Sequence, residues 1–235
     1  MPALTAVPHD PGPMRWALPP ARSADANDVV GVGADLEPAT MVAAYRDGIF
    51  PWPHDDLPLP WFSPDPRAVI VCGGVHVSRS LRRTLRRSGW TTTVDRASRQ
   101  VIRGCRDRPG EGTWITDEMA AAYDRLLDLG WAHTVEVWDG ADLVGGIHGL
   151  LVGGVFTGES MFHRASDASK VALLDLVTRL GDAGGLLLDA QLMTPHLESM
   201  GAHPWPRERF LTALAAVRDD DVRLVTDERP VERLS

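Results

Sequence analysis

A change in hydrophobic period at His133 constrains the fold of this chain more than any other feature. From that residue onward, three runs, HTVEVW, DLVGGIHGLL and VFTGESMF, follow a period of two. The dipeptides DG at 139–140 and GG at 153–154 separate them. A period of two that is interrupted by glycine turns predicts antiparallel strands joined by hairpins. The chain is therefore expected to contain a meander of three strands.

Helix signals lie on both sides of this meander, and the apolar run GGLLLDAQ reads as a further, buried strand. The sequence thus predicts a mixed sheet flanked by helices, an α+β fold without repeats. Capping residues and glycine stops give the helix limits. The expected helices run from Pro38 to Gly48, Ser78 to Gly89, Asp95 to Gly104, 117 to 129, Ser166 to Gly184 and Pro206 to Val217.

Composition divides the chain into three parts. Residues 1–28 contain six prolines and no apolar period, which is typical of a segment that is poorly ordered or wanders over the surface. Residues 29–65 are expected to form a small N-terminal domain, closed by the rigid loop GIFPWPHDDLPLPWFSPDPR that follows its helix. Residues 66–235 hold the meander and are expected to form the larger domain.

Several classes of protein are disfavoured. No apolar run approaches the roughly 18 to 20 residues of a membrane helix, and the first thirty residues lack a secretory signal, so a cytoplasmic protein is expected. Cys72 and Cys105 have no paired spacing, which favours reduced thiols. The eight histidines form no HExxH motif, and neither GxxxxGKS/T nor a convincing GxGxxG occurs. We therefore expect no metal, no cofactor and no nucleotide hydrolysis.

The segment SRSLRRTLRR, residues 78–87, carries five arginines in a chain whose formal net charge is −8. On a helix these arginines share one face, where their mutual repulsion lowers helix stability unless an anion is bound. Two interpretations stay open. The face is either solvated or paired with the chain's own acids, or it binds the phosphates of a nucleic acid. No aromatic ribonucleoprotein motif occurs, so a nucleic acid would be recognised by shape and charge.

Polar residues at strand ends are candidates for chemistry. Asp189 and Gln191 end the run LLLDAQ, and because side chains alternate along a strand, both should lie on one face. They can hold one bound group between them or satisfy neighbouring backbone. Glu159 ends another strand. Lys170 is the only lysine among 24 basic residues, but its spacing assigns it no role.

Three tryptophans, Trp52, Trp61 and Trp114, lie in or beside loops that contain proline or glycine. Such rings either fill the core or stack on a base or another ring. Packing in the core is the simpler interpretation of the three when they are taken alone.

Together, the ordered motifs VVGVGADLEPATMVAAYRDGIFPW, WFSPDPRAV, GTWIT, GESMF and LLLDAQ resemble those of the bacterial leucyl/phenylalanyl-tRNA-protein transferases from Val29 to Leu214. The resemblance implies transfer of leucine or phenylalanine, with methionine left open, from tRNA to proteins that begin with arginine or lysine. It implies that these proteins are marked for degradation by the N-end rule. It also implies a larger domain similar to the GCN5-related N-acetyltransferases, and a monomer is expected.

The resemblance assigns roles by position. Asp189 and Gln191 match the catalytic pair, and Glu159 matches the acidic residue near the acceptor. Asp189, directly or through Gln191, would take the proton of the attacking amine, while Gln191 positions it. The remaining matches are Tyr45, Trp52, Trp114 and Tyr123 around the aminoacyl-adenosine, Phe156, Met161, Leu176, Leu180 and Leu188 in the side-chain pocket, and Arg79, Arg83, Arg86 and Arg87 on the tRNA.

Two other classes of function stay open. An acetyl-CoA-dependent N-acyltransferase on the same fold would carry a glycine-rich pyrophosphate loop of the form Q/R-x-x-G-x-G/A, which RASDASK does not supply. A non-catalytic binder of tRNA or of N-terminal degradation signals would need only the arginine face and an acidic pocket. The presence of both Asp189 and Gln191 favours the enzyme.

Overall fold

Two β-sheets of unequal size organise the part of the chain that this computed structural model describes, residues 2–54, 58–107 and 113–235. The helix α1 (Pro38–Arg46) confirms the one expected at Pro38, which stands at the first helical position where a missing N–H does no harm. Residues 55–57 of the proline-rich loop lie outside the described residues. The smaller sheet consists of β1 (Val29–Val32), β2 (Phe50–Pro51) and β3 (Pro60–Phe62), in the antiparallel order β1-β3-β2.

The larger sheet confirms the predicted meander. Its strands β6 (Ala132–Asp139), β7 (Asp142–Val152) and β8 (Val155–His163) pair antiparallel in sequence. Gly140 and Gly153, in the two hairpin turns, have φ of 60° and 52°, a conformation that glycine adopts without strain. The other strands are β4 (Arg67–Val71), β5 (Thr91–Val94), β9 (Leu187–Gln191), β10 (His203–Trp205) and β11 (Arg229–Pro230), and the order is β10-β4-β9-β8-β7-β6-β5-β11.

Helices cover both faces of this sheet, which confirms the α+β class. They are α2 (Arg79–Arg87), α3 (Ser98–Arg106), α4 (Asp117–Asp128), α5 (Ala168–Asp182), α6 (Pro195–Ser199) and α7 (Arg207–Val217), with short 3-10 helices at Ala21–Ser23 and Val231–Leu234. None of the described helices is long and apolar enough to cross a membrane.

Alternation along the strands separates two layers of core. Leu187 of β9 belongs to the core layer that contains side chains of α1, α3, α4 and α7, whereas the next residue, Leu188, belongs to the layer that contains side chains of α2 and α5. Val69 and Ile70 of β4 divide in the same way. Each fully buried aliphatic side chain of this kind contributes roughly 1.5–3 kcal/mol of transfer free energy. The sheet therefore forms the middle of a three-layer molecule.

Two of the expected helix caps are wrong. Ser78 does cap α2, because its Oγ accepts a bond from the Leu81 N–H at 3.2 Å. Asp95 instead has a φ of 59°, and its carboxylate accepts the Thr134 N–H at 2.9 Å across the sheet, so α3 begins only at Ser98. At α5 the capping position is Asp167 rather than Ser166, with a φ of 70° and no side-chain cap.

The N-terminal segment, residues 2–28, follows the surface and bonds to distant parts of the chain. The Thr5 N–H donates to the Leu224 carbonyl at 2.8 Å, and the His9 N–H donates to the Leu129 carbonyl at 2.8 Å. The segment is mostly exposed. Its attachment to the C-terminal region closes a loop of more than two hundred residues.

The parallel pairing of β8 with β9 is short and ends inside the sheet. Val155–Thr157 lies opposite Leu187–Asp189, and no further pairs follow between the two strands in the described register. Both strands continue past this point, β8 to His163 and β9 to Gln191. Their ends separate and leave a gap between two neighbouring strands.

Candidate active site

A cavity of about 200 Å³ occupies the gap between β8 and β9. Leu173 of α5 lines it from one side of the sheet, and Trp52 and Trp114 line it from the other. Its volume is below the roughly 300–1,000 Å³ of pockets that hold drug-sized ligands. A cavity of this size, with a mostly apolar wall, suits a single amino-acid side chain. Polar groups reach its wall mainly from Glu159, Ser160, Gln191 and Thr194.

Glu159, at the edge of this cavity, accepts hydrogen bonds from side chains of three elements. Tyr45 of α1 donates its hydroxyl to Oε1 at 2.8 Å, and Tyr123 of α4 donates to Oε2 at 2.5 Å. The Gln191 side-chain amide of β9 donates to Oε1 at 3.0 Å. The carboxyl group is almost completely buried but belongs to the cavity wall.

Burial, and to a smaller extent the charge of Asp189, raise the pKa of Glu159, which lies at about 7. The hydroxyls of Tyr123 and Tyr45 and the charge of Arg67 act in the opposite direction, because they favour the carboxylate. Burial and the same carboxylate hold the pKa of both tyrosines well above their ordinary value, so they remain donors at neutral pH. Glu159 thus exchanges a proton near neutrality.

Asp189 lies deeper and is bound by Arg67. The Arg67 Nε and Nη2 atoms donate to the two carboxylate oxygens at 2.7 Å each, and both side chains are buried. The guanidinium carbon lies 4.8 Å from the centre of the Phe50 ring and 4.6 Å from that of Phe210. Two aromatic faces and a bidentate partner fix this ion pair in place.

Asp189 also shapes the end of β9. Its Oδ1 accepts the backbone N–H of Gln191 at 3.0 Å, and Gln191 has a φ of 62°, in the left-handed region. Non-glycine residues adopt this conformation only when their surroundings impose it. Asp189 contacts Thr157 at 3.3 Å, and Gln191 contacts Glu159, so the pair lies on one face of the sheet, as the two-residue spacing predicts.

The structure divides the five residues that the resemblance assigns to the side-chain pocket between the cavity wall and the core. Met161 and Leu188 line the cavity. Phe156, Leu176 and Leu180 are fully buried in the core behind it and do not line it. The resemblance did not indicate Ile147, Leu173 and Leu197, which do. Leu173 could have been found from sequence, because it lies one helical turn before Leu176.

The aromatic residues divide between wall and core. Trp52 and Trp114 line the cavity, and Trp52 packs edge-on against Phe62 with 6.2 Å between ring centres. Trp61 is buried, and its indole N–H donates to the Gly33 carbonyl at 2.6 Å, so it fills the core. The hydroxyls of Tyr45 and Tyr123 stand behind Glu159 rather than on the cavity surface.

The arginine face lies on α2, as predicted. Leu81 and Leu85 are buried on the inner side, while the arginines point outward. No carboxylate of the described residues lies within ion-pair distance of them, which removes support for internal pairing. The exposed set is Arg79, Arg82, Arg83, Arg86 and Arg87. Lys170, in contrast, pairs with Asp167 at 2.7 Å, and Asp167 also accepts the Thr84 hydroxyl of α2 at 3.0 Å.

Comparison with known families gives two consecutive matches. The sequence model described as leucyl/phenylalanyl-tRNA protein transferase matches residues 69–215. The model of the N-terminal domain of the same transferase matches residues 34–65.

Curated proteins of high identity bear the same description. A leucyl/phenylalanyl-tRNA–protein transferase of Shewanella baltica is 47% identical over 201 residues, which cover 84% of this chain and 84% of the relative. One of Stutzerimonas stutzeri is 48% identical over 203 residues, covering 85% and 90%.

Two solved structures show a distant similarity. L-PGS from Bacillus licheniformis is 14% identical with a TM-score of 0.39, and covers 57% of this chain and 49% of that one. A GCN5-related N-acetyltransferase from Kribbella flavida is 11% identical with a TM-score of 0.38, and covers 69% and 58%.

Proposed function

Because the chain belongs to the leucyl/phenylalanyl-tRNA protein transferase family, we propose that it transfers leucine or phenylalanine from tRNA to the α-amino group of proteins that begin with arginine or lysine. Transfer of this kind marks its acceptors for degradation by the N-end rule. The reaction needs charged tRNA, so we place the enzyme in the cytoplasm. We further propose that it acts as a monomer.

The observation that carries this proposal is the position of the polar edge of the cavity. Met161, Leu173 and Leu188 form an apolar wall that suits a leucyl or phenylalanyl side chain. Glu159 and Gln191 lie at the same cavity, where the ester carbonyl of that amino acid would stand. Trp52 and Trp114 offer ring faces to the terminal adenosine. One cavity thus supports both the aminoacyl donor and the amine acceptor.

The chemistry requires little activation. An aminoacyl ester on tRNA is already reactive, and an α-amine with a pKa of about 7.7–8.0 is partly unprotonated at neutral pH. Alignment of amine and ester therefore contributes much of the rate. The Gln191 side-chain N–H donates a hydrogen bond to Glu159, and no described residue donates to the side-chain carbonyl oxygen of Gln191. That oxygen can accept an N–H bond from the incoming amine and orient its lone pair.

The sequence interpretation of Asp189 as the proton acceptor gains no support from this geometry. Both of its oxygens are bound by Arg67, and Asp189 does not line the cavity. We therefore assign it a positioning role. Through the Gln191 backbone N–H it fixes the turn that points the carboxamide at Glu159.

Transfer of a labelled amino acid tests the proposal. The protein is incubated with tRNA charged with radiolabelled leucine, phenylalanine or methionine, and with a peptide that begins with arginine. We expect label in the peptide with leucine or phenylalanine, and none when the same peptide has an acetylated N-terminus. Label from acetyl-CoA but not from tRNA would instead show an N-acetyltransferase, and tight binding of charged tRNA without transfer would show a binder.

A further inference from the structure

We propose that Glu159 is the residue that accepts the proton of the attacking amine and returns it to the leaving ribose oxygen. The assignment presupposes the aminoacyl transfer proposed above and adds a catalytic role to the acceptor contact that the resemblance gives this residue. It follows from which of the two carboxyl groups faces the cavity, and from what binds each of them.

Asp189 is unsuited to this role because its carboxylate already forms an ion pair with Arg67. Two bonds of 2.7 Å join it to Arg67, whose guanidinium is buried between the rings of Phe50 and Phe210. A proton on Asp189 would leave this guanidinium as a buried charge without a charged partner, which is strongly unfavourable. The backbone N–H of Gln191 and the hydroxyl of Thr157 occupy further positions on the same carboxylate.

Glu159 has the opposite environment. Its three donors are neutral groups, the hydroxyls of Tyr45 and Tyr123 and the amide of Gln191. Gaining a proton therefore leaves no charge without a partner. The carboxyl group also lies on the cavity wall, beside the carboxamide that would hold the amine. A pKa of about 7 suits a general base that works near neutral pH.

The protonation of Glu159 depends on the hydroxyl groups and charges that surround it. Tyr45 comes from α1 and Tyr123 from α4, and the ring of Tyr123 contacts His148 of β7 at 5.0 Å between ring centres. The charges nearest to it are those of Asp189 on β9 and Arg67 on β4, which act on its pKa in opposite directions. These two charges form one ion pair, and the effect of Asp189 on Glu159 is the larger of the two.

The proposed step balances as follows. The acceptor ammonium first loses one proton to solvent, and the free amine nitrogen forms a bond to the ester carbonyl carbon. The nitrogen becomes positively charged in the tetrahedral intermediate, and one of its protons passes to the Glu159 carboxylate. The bond between the carbonyl carbon and the ribose oxygen then breaks, and the proton on Glu159 passes to that oxygen. The products are an amide and a free ribose hydroxyl, and Glu159 is again a carboxylate.

The slope of the pH profile tests the assignment. At subsaturating acceptor, log(kcat/KM) for the arginine peptide is measured by single-turnover transfer between pH 5.5 and 6.5, below the pKa of both the amine and Glu159. Two groups must then lose a proton, so the slope should approach 2. In Glu159→Gln only the amine titrates, so the slope should fall to 1, with a rate about 10²–10⁴-fold lower at pH 7.5.

Matched variants exclude other sources of this slope. Glu136 is a second buried carboxyl with a pKa raised to about 7, and it does not line the cavity, so Glu136→Gln should keep the slope of 2. Tyr123→Phe removes a hydroxyl that lowers the pKa of Glu159. The bend in its profile should therefore move to higher pH, and this shift decides the matter even if Glu159→Gln fails to fold.

A wild-type slope of 1, or a Glu159→Gln variant that transfers at the wild-type rate, would overturn the assignment. Either result leaves the aminoacyl transfer itself intact, because wild-type protein would still label the peptide. Absence of any labelling by wild-type protein would instead reject the proposed function, and the role of Glu159 with it.

Discussion

At the scale of single residues, the buried ion pair of Arg67 and Asp189 is the costliest element of the site to assemble. Two charges lose their water, and the bidentate bonds, the two aromatic rings and further hydrogen bonds from the Gln191 N–H, from the Thr157 hydroxyl and to the Gly48 carbonyl compensate for that loss. The molecule uses this pair to hold Gln191 in a backbone conformation that glutamine seldom adopts. The buried ion pair thus holds the end of β9 in a fixed conformation.

A double-mutant cycle on this pair measures that compensation. Arg67→Ala leaves the Asp189 carboxylate buried without its partner and should lower the free energy of unfolding by about 3–5 kcal/mol. Arg67→Ala combined with Asp189→Ala should cost much less than the sum of the single changes. Urea unfolding gives the four values. The exposed bidentate pair of Arg22 and Glu208 is the control, and its cycle should show little coupling. Additive effects at Arg67 and Asp189 would contradict a coupled pair.

Leu173 and Leu176 of α5 offer a direct test of the pocket wall. Leu173 lines the cavity, so Leu173→Ala should enlarge it and shift kcat/KM from leucine towards phenylalanine by about tenfold or more. Leu176 packs in the core behind the wall, so Leu176→Ala should lower stability by about 2–5 kcal/mol without that shift. Competition between the two charged tRNAs gives the ratio. A larger shift in Leu176→Ala would restore the pocket that the resemblance implies.

At the scale of elements, α2 separates a packing side from a charged side. Leu81 and Leu85 hold the helix on the core, and the arginine face remains exposed without ion-pair partners among the described residues. The mutual repulsion of these arginines lowers the stability of α2, so the helix is expected to gain stability when an anion binds. The acceptor stem of tRNA would supply a row of phosphates.

The salt dependence of tRNA binding tests this use of α2. Replacing Arg83, Arg86 and Arg87 with alanine should flatten the plot of log K against log salt by about 0.7–0.9 for each lost phosphate contact. Affinity for the acceptor peptide should change little. Arg22→Ala, at an exposed arginine that is paired with Glu208, should leave the slope as it is. An unchanged slope in the triple variant would mean that the arginines serve solubility alone.

The sequence predicted local features better than distant ones. The meander, α2 with its cap at Ser78 and the strand that ends at Gln191 follow from periodicity and turn residues close together in the chain. The hydrogen-bond donors around Glu159 could not be predicted from those signals, because one of them, Tyr45, is separated from it by 114 residues. The same holds for Arg67, whose partner Asp189 lies 122 residues away. Local patterns determine which side chains face inward, and only the topology determines which of them meet.

At the scale of the whole molecule, two buried carboxyl groups couple stability to pH. Glu136 lies within the sheet, where Thr93 and Thr134 donate hydroxyls to it at 2.6 and 2.5 Å, and Glu159 lies at the cavity. Burial raises the pKa of each from an ordinary 4.5 to about 7. The folded protein therefore binds more protons than the unfolded chain between these values, and its stability should fall as pH rises through that window.

Comparison of wild type with Glu136→Gln isolates one of these contributions. Each raised carboxyl should remove on the order of 3 kcal/mol of stability between pH 4.5 and 7, at about 1.4 kcal/mol per pKa unit. Burial lowers the pKa of His196, which acts in the opposite sense near its ordinary value of 6.5. Both proteins contain His196 and Glu159, so the titrations of these two residues cancel in the difference.

At pH 4.5 the folded wild type carries a protonated Glu136, and replacing this neutral group with glutamine changes stability by a constant amount. The part of the difference that varies with pH is the ionisation of Glu136 alone. Urea unfolding at pH 4.5 and at pH 7.5 should therefore show wild type losing about 3 kcal/mol relative to Glu136→Gln as the pH rises. A difference that stays constant would mean that Glu136 keeps an ordinary pKa in the folded protein. In that case water would have to reach Glu136 in the interior of the sheet.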